Sequence, residues 1–545
     1  MSKFNTTSVR SATGRGFVES TGEATTNHNG GEAFVRSDKS ELFLAAVSDF
    51  GGEQTFYESA GSRSDRIIAL AHKVAVADPD WYAKFVSWLR REANLRSISL
   101  MLGMEGAKAL IKAGIPGGRA LVSSVILRAD EPGEALGYWM STYGRKVPSA
   151  VKRGVADAVV RSYSEFSLGK YDTASKGFRF GDVIRLVHPT PATPLQADLF
   201  KFAIERRMDS SAKAPESLVM ADKRKQLLGL PKAELRKLVL SEEGTSKLKE
   251  AGLTWENIAG EIGLDAKTWE ALIPTMGYMA LLRNLRNFEE AGVSDKVLDK
   301  VADRIANPEQ VAKSRQLPFR FLSAYLATSG TSSAHIDRYA GYYESRNIRS
   351  SESLRFSYPL EKALNASLKN VPSLKGNTLI LVDRSGSMWG SPSKNTQMNF
   401  ADSAAIFGTA LALRAEQATL VQFGDSSEKI EFSKNSSVLS VFNKFKGMGG
   451  TRTADAIKKH LRPEHTRVVI VTDEQYAYSG YYGNPADVVP KSVPLYTWNL
   501  VGYKAGGVSG HNRITFGGLT DQSFGMIELL EAGRDAAWPW ETKSE

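Results

Sequence analysis

The amino-acid sequence predicts a multidomain fold: an all-α helical array followed by an α/β, doubly wound (Rossmann-like) domain. Three observations predict it. The chain has 545 residues, enough for several domains at roughly 100–200 residues each. From about residue 40 to 365, apolar residues recur at helical spacing and strand-like alternation is scarce. After residue 370, short apolar runs alternate with helical stretches, the pattern of a parallel sheet covered by helices on both faces.

The elements follow in order. Residues 1–20 read as a disordered tail, because Met1 to Val18 holds Lys3, Arg10 and Arg15, no acid, and many Ser and Thr. An organelle transit peptide has a similar composition. Helical windows run over Ser64–Val76, Asp80–Arg91, Ser97–Ala113, Gly117–Ala129, Ser149–Ser164, Leu195–Arg207, Met276–Ala291 and Leu317–Ala327. Pro116, Pro132, Pro148, Pro274 and Pro318 stand where helices should start. Many short helices without strands suggest a solenoid-like array, with repeats that are irregular at best. Residues 208–270, rich in Lys and Glu, read as a solvated helical insertion. The expected divisions are 1–20, 21–368 and 369–545.

In the last division, Thr378–Val382, Ala418–Phe423, Arg467–Val471 and Val493–Leu500 read as buried strands. Thr396–Glu416, Thr453–Leu461 and Ser523–Ala532 read as the helices between and after them. In such sheets a ligand sits at the carboxyl ends of the strands.

Composition narrows the function classes. Hydrophobic residues are 42% and charged residues 24%, which excludes global disorder and collagen-like structure. Without cysteine there is no disulfide, thiolate zinc site or cysteine nucleophile. The seven histidines form no HExxH and no cluster beside carboxylates, so a catalytic zinc site is not expected. No apolar run reaches the roughly 20 residues that span a membrane, and no secretory signal is seen, so a cytoplasmic protein is expected. The net charge is +10, and it is uneven: residues 371–545 hold 18 basic and 17 acidic residues, residues 1–370 hold 52 and 43. That asymmetry points the helical part toward a polyanion, although a plain solubility charge is the alternative.

The strongest chemical signal follows the first buried strand. Asp383-Arg384-Ser385-Gly386-Ser387 is a D-x-S-x-S loop leaving TLILV. One carboxylate and two hydroxyls two residues apart can face a single point beyond the strand. Gly449-Gly450-Thr451 and Val471-Thr472-Asp473 should lie at neighbouring strand ends. Asp383, Ser385, Ser387, Thr451 and Asp473 then form a hard-oxygen set suited to Mg²⁺, with Mn²⁺ or Ca²⁺ as alternatives. A local turn and helix cap is the other use of such residues. Mostly hydroxyl ligands leave a metal electrophilic, with a position for a partner's carboxylate. A nuclease-type centre would need more carboxylates, so no catalytic residues are assigned and an enzyme is not expected. Glu474 should point away from Asp473 if the strand continues.

This order of motifs, DxSxS after an apolar strand, then GGT, then an apolar strand ending in TD, resembles a von Willebrand factor A domain with its metal-ion-dependent adhesion site.

The helical part mixes cations with aromatics. Lys170 to His188 offers Lys170, Arg179, Arg185 and His188 beside Tyr171, Phe178 and Phe180; Arg145, Lys146 and Lys152 flank Pro148. Cations neutralise phosphates and aromatic faces stack unpaired bases, but at helical spacing aromatics also build core.

The segment Met276–Phe288 (MGYMALLRNLRNF) resembles the ALLRNL signature of the TROVE module, found in the Ro autoantigen, telomerase-associated and vault-associated proteins. Arg96–Leu100, the turn Gly144–Pro148 and Trp269–Ile273 fall in matching order. With the A-like domain behind it, the layout resembles a bacterial-type Ro protein. That resemblance implies a monomeric ring of HEAT-like helical repeats. A basic outer surface would hold small noncoding Y-type RNA, and the ring would take single-stranded ends of structured or misfolded RNA. It also implies work with an exoribonuclease such as polynucleotide phosphorylase. By position, Lys170, Arg179, Arg185 and His188 are the expected outer RNA surface, with Arg145, Lys146 and Lys152 secondary. The alternative is a metal-dependent protein-docking module for which RNA is incidental.

Overall fold

A computed structural model of the chain describes residues 18–28, 30–48, 59–93, 95–314, 318–328, 354–367, 373–390, 398–434, 436–476, 483–506, 512–517, 527 and 538–541. A helical N-terminal region is followed by an α/β region built on a mostly parallel sheet. By contacts, the chain divides into two compact units. One comprises residues 1–70, 93–98 and 306–545, the other residues 71–92 and 99–305.

The first unit is organised by six strands. In chain order they are β3 (Asn377–Asp383), β4 (Gln417–Phe423), β5 (Ser427–Lys429), β6 (Arg467–Thr472), β7 (Leu495–Asn499) and β9 (Arg513–Gly517). They lie in the order β5-β4-β3-β6-β7-β9, all parallel except the short edge strand β5. Continuous apolar runs such as TLILV suit a central strand covered on both faces. On one face Leu379, Leu381, Val421, Phe423, Val468 and Ile470 pack with Ile457 of the helix Thr453–His460. On the other lies the helix Phe400–Arg414, capped by Asn399, whose side chain accepts the Asp402 N–H at 2.7 Å. It sits so close that a Cβ at Gly408 would overlap Val382. The chain steps from β3 to β4 on one side, then crosses to β6 on the other. The crevice at the carboxyl ends of β3 and β6 is therefore the topological switch point, where open α/β sheets bind ligands.

Residues expected to open the helical region instead make a second, small sheet. The strands β1 (Ser20–Thr26) and β2 (Glu32–Arg36) form an antiparallel hairpin, and β2 also pairs with β8 (Ala505–Gly506). Polar, unpatterned STGEATT gives little strand signal; its order comes through β2, which pairs with β8, and from contacts with Glu474 and Tyr476 just after β6. Asn27 turns the hairpin, accepting the Gly31 N–H at 2.8 Å and donating to the Tyr476 carbonyl at 2.9 Å. Arg36 and Glu474 form a buried ion pair, and Glu474 also accepts from Asn499. The helix Asp38–Val47, capped by Ser37, then buries Leu42, Phe43, Leu44 and Val47. Helices Pro318–Thr328 and Leu354–Ser367 pack together in the same unit. The helix expected over 523–532 lies almost wholly outside the described residues.

The second unit is helical. The expected windows appear as Pro79–Arg91, Ser149–Ser162, Pro194–Met208 and Tyr278–Glu290, with the second of the windows near 120 ending early, as Gly118–Val125. Neighbours pack tightly: a Cβ at Gly154 would press on the Arg119 carbonyl at 2.6 Å, and one at Gly181 on the Ala203 carbonyl at 2.5 Å. Helices Glu131–Tyr143, Glu165–Tyr171 and Phe180–Val187 complete this part. The 208–270 segment is not merely solvated helix. Its helices enclose an apolar core of their own, with Leu235, Val239, Leu248, Ile258 and Leu272 buried. The Lys and Glu residues coat that core, which is why charge dominates its composition.

Candidate functional site

The switch-point crevice gathers the predicted oxygen set. Asp383 ends β3, fully buried, and its Oδ1 accepts the Ser385 N–H at 2.9 Å. Such an Asx turn bends the loop so that Ser385 and Ser387 face the same way, their hydroxyls 3.3 Å apart. Gly449 bridges to this loop, its carbonyl accepting the Gly386 N–H at 2.7 Å. Thr451, two residues on, is buried, and among the described residues no hydrogen bond joins its hydroxyl to the other four. Asp473 follows β6, fully buried, with Oδ1 accepting the Gln475 N–H at 3.0 Å.

Among the described residues, Asp473 Oδ2 is a buried carboxylate oxygen with no hydrogen bond. Burial first, then the charge of Asp383, push the Asp473 carboxyl up to about 7. Burial raises Asp383 as well, against the hydrogen bonds it accepts. Two buried, mutually repelling carboxylates ringed by hydroxyls are a donor set that a divalent cation would neutralise. Among the described residues no cluster of three or more His, Cys, Asp or Glu could hold a metal, so this set would rely on its hydroxyls.

Sequence reasoning missed Thr472, whose hydroxyl donates to Asp383 Oδ2 at 2.6 Å. The strand-end TD pair was the available signal. The strand does not continue through Glu474, which lies in the left-handed region at φ 62° and spends its carboxylate on Arg36. Arg384 turns away too, stacking on Trp389 and donating to the Lys446 carbonyl at 2.8 Å.

The helical unit holds the expected basic residues in unequal settings. Arg145 and Lys146 are exposed beside the turn at Gly144, and Lys152 is half-buried. Lys170 lies over Tyr171, 5.3 Å from its ring centre. Arg185 is exposed, and exposed His188 ends the helix Phe180–Val187 in a left-handed conformation. Arg179 differs from expectation: its guanidinium bonds buried Asp172 at 2.8 Å and so holds the segment together. Two of the aromatics take the core-building role that helical spacing also allows. Phe180 is buried, stacked on Tyr163 at 3.7 Å, and Phe178 packs against Gly133 and Gly137.

Other cations converge where the linear pattern gave no cluster. Arg91, Arg128 and Arg161 line a cavity of about 440 Å³ with Phe166 and Tyr171. Arg161 is fixed by the carbonyls of Ser123 and Ile126, at 2.8 and 2.7 Å. Burial, then the charge of Arg91, lower its pKa. Arg128 lies over Tyr171, 5.4 Å from the ring centre, and bonds Asp130 at 2.9 Å. Each arginine sits in the last turn of a helix or just beyond one, a placement that the helix dipole favours and that a search at helix ends would have found.

Residues 244–363 match the model of the TROVE domain. The crystal structure of a *Deinococcus radiodurans* Ro (Rsr) protein is similar over 91% of this chain and all of its own, with a TM-score of 0.58 and 16% identity. This chain carries a TROVE domain and has the fold of a Ro protein. Telomerase protein component 1 of *Mus musculus* and of *Rattus norvegicus* are each 40% identical to it over 74 residues, 13% of this chain. The chain spans only 3% of the length of those curated relatives. Within the TROVE match, the ALLRNL helix works as packing. Leu281, Leu282, Asn284, Leu285 and Phe288 face inward, and Trp269 meets Phe288 edge-on at 4.9 Å. Arg283 and Arg286 face out. Among the described residues no helix is long and apolar enough to cross a membrane.

Proposed function

We propose that this chain is a Ro-like, non-catalytic RNA-binding scaffold. The observation that carries the reading is the cavity of Arg91, Arg128 and Arg161 with Phe166 and Tyr171, on a fold shared with a Ro protein. Guanidinium groups bind phosphates while Tyr171 and exposed Phe166 offer faces to unpaired bases. Lys170, Arg185 and His188 continue this basic, aromatic surface, with Arg145, Lys146 and Lys152 as further phosphate contacts. The RNA is a small noncoding, Y-type RNA, and single-stranded ends of structured or misfolded RNA are a second ligand. The role is RNA quality control or processing beside an exoribonuclease such as polynucleotide phosphorylase, in the cytoplasm, with the chain as a monomer.

A second reading concerns the switch-point crevice, and the unbonded Asp473 Oδ2 supports it. Asp383, Ser385, Ser387, Thr451 and Asp473 would hold a divalent cation, Mg²⁺ first. Bound there, the ion would supply an electrophilic position for a partner's carboxylate. The protein's part is to exclude bulk water and pre-orient the oxygens: Thr472 and the Ser385 amide fix Asp383, and the Gln475 amide fixes Asp473.

RNA binding across a salt series tests the first reading. A structured RNA with a single-stranded 3′ tail should bind more tightly than its blunt version. Lys170→Ala/His188→Ala and Arg128→Ala/Arg161→Ala should each weaken binding and flatten the salt dependence. No RNA binding at low salt, or equal affinity for bulk duplex DNA, would sink it. Loss of a protein partner on Asp383→Ala with RNA affinity intact would place a docking role on the crevice.

A further inference from the structure

We propose that a second cavity in the helical unit, between the helices Pro194–Met208 and Val219–Leu228, binds a phosphate monoester. It has a volume of about 370 Å³, within the range of small-molecule sites. The first helix lines it with Phe202 and Arg206, the second with Met220, Arg224, Lys225 and Leu228, so cations and apolar side chains share the lining. None of these residues belongs to the RNA surface or the metal set above, and the inference does not rest on either reading.

The cations are poorly compensated. Arg224 is largely buried, yet its one hydrogen bond among the described residues goes to the Gly252 carbonyl, at 3.0 Å. Among the described residues it forms no ion pair with a carboxylate. Arg206 reaches the Asp172 carbonyl at 3.3 Å and stands 3.8 Å from the Asp172 carboxylate. That carboxylate already accepts from Arg179 and from the Phe180 N–H, each at 2.8 Å. Lys225 makes a long contact, 3.5 Å to the Ser211 carbonyl, and its charge acts on exposed Asp209. Glu165 is the single acid on the wall, and one of its oxygens takes the Ala221 N–H at 3.0 Å. Burial, then the charge of Arg206, lower Arg224 to about 10, and burial lowers Arg206.

Two guanidiniums held together in a partly dry cavity call for an anion. Their forked donors match a phosphate, and a doubly charged monoester fits them better than a diester. Position is fixed as well as charge. Arg224 lies across the backbone of Gly169, where a Cβ would press on the guanidinium carbon at 3.2 Å. Phe202, Met220 and Leu228 beside the guanidiniums would take the organic body of the ligand. Two sources supply this chemistry, a free mononucleotide or the 5′ end of a processed RNA.

The test uses the full chain and isothermal titration with adenosine 5′-monophosphate, adenosine and inorganic phosphate. Adenosine 5′-monophosphate should bind about tenfold or more tightly than adenosine. Arg224→Met should lose about the same factor, with Arg224→Lys in between. Gly169→Ala, which displaces the guanidinium without removing it, should also weaken binding. Lys170→Ala/His188→Ala should leave this affinity unchanged, which separates the cavity from the RNA surface. Oligoribonucleotides with a 5′-phosphate or a 5′-hydroxyl identify the source: an Arg224-dependent preference for the phosphate assigns RNA ends, and none assigns the free nucleotide. The proposal is overturned if neither the mononucleotide nor the oligoribonucleotide gains from its phosphate. It is equally overturned if folded Arg224→Met and Gly169→Ala proteins, checked by circular dichroism, bind as the wild type does.

Discussion

Replacing Arg36 with Met should destabilise the sheet-bearing unit by about 3–5 kcal/mol, the range for breaking one side of a buried ion pair. The side chains of Arg36 and Glu474 are 4% and 1% exposed. Among the described residues Glu474 Oε1 has no hydrogen bond, so the carboxylate depends on Oε2, shared by Arg36 and Asn499. Removing the guanidinium leaves a buried charge held by one amide, and also strips the Tyr503 carbonyl of its 2.9 Å donor. Arg36→Met/Glu474→Gln removes both charges and keeps an amide for Asn499. It should recover about 2 kcal/mol or more relative to the sum of the single changes. Urea unfolding followed by tryptophan fluorescence reads this, because Trp498 lies buried in the same unit. A cost below about 1 kcal/mol for Arg36→Met, or additivity within about 0.5 kcal/mol, would refute the reasoning.

Three other outcomes are expected. Glu105 is fully buried and accepts from Tyr138 and Tyr143 at 2.5 and 2.6 Å, with His72 Nε2 at 2.6 Å. Glu105→Ala should therefore cost about 3 kcal/mol by thermal unfolding and Glu105→Gln clearly less; equal costs would mean that the charge does not matter. His465 is held neutral: burial chiefly lowers its pKa, its Nδ1 accepts the Arg462 N–H at 2.9 Å, and its Nε2 faces Thr419 at 3.0 Å. Arg462 opposes its protonation and Glu464 favours it. With the folded pKa below the unfolded value, its stability contribution is full above about pH 6.5 and lost as pH falls. His465→Gln should flatten the wild-type decline between about pH 6.5 and 5, and parallel declines would contradict this. Finally, Mg²⁺ should raise the melting temperature of the wild type but not of Asp473→Asn. In chelator the order should invert, since the substitution removes one of two repelling buried carboxylates. No Mg²⁺ effect on the wild type would remove the metal from the crevice.

The α/β half was legible because its chemistry is local. Thr378–Val382 is apolar on both faces, so a central strand followed, and Asp383 fell at its end. Thr451 and Asp473 could be placed by the rule that ligands gather at strand ends. The edge strands were harder: β5 has three residues, and β9 (RITFG) shows only a short apolar alternation. The hairpin β1–β2 was invisible because its order comes from distant partners, Tyr476 and Ala505–Gly506, not from its own residues. The basic segment 170–188 was found by composition, but composition does not say that Arg179 is spent on Asp172 or that Phe180 stacks on Tyr163. Arg91, Arg128 and Arg161 escaped notice because the helix packing, not sequence proximity, brings them together.

The hairpin that docks beside β6 also sets a schedule for synthesis. Arg36 and Glu474 are 438 residues apart. At about 5–20 residues per second, β2 leaves the ribosome roughly 20–90 s before its ion-pair partner is made. Residues 71–305 can complete their own core in that interval, whereas a two-stranded hairpin alone is marginal in water. The early strand must wait unpaired, its edge open to other chains. Glu19, Glu23, Glu32 and Arg36 place charges along this waiting segment, the kind of residue that guards an exposed edge against pairing with other chains.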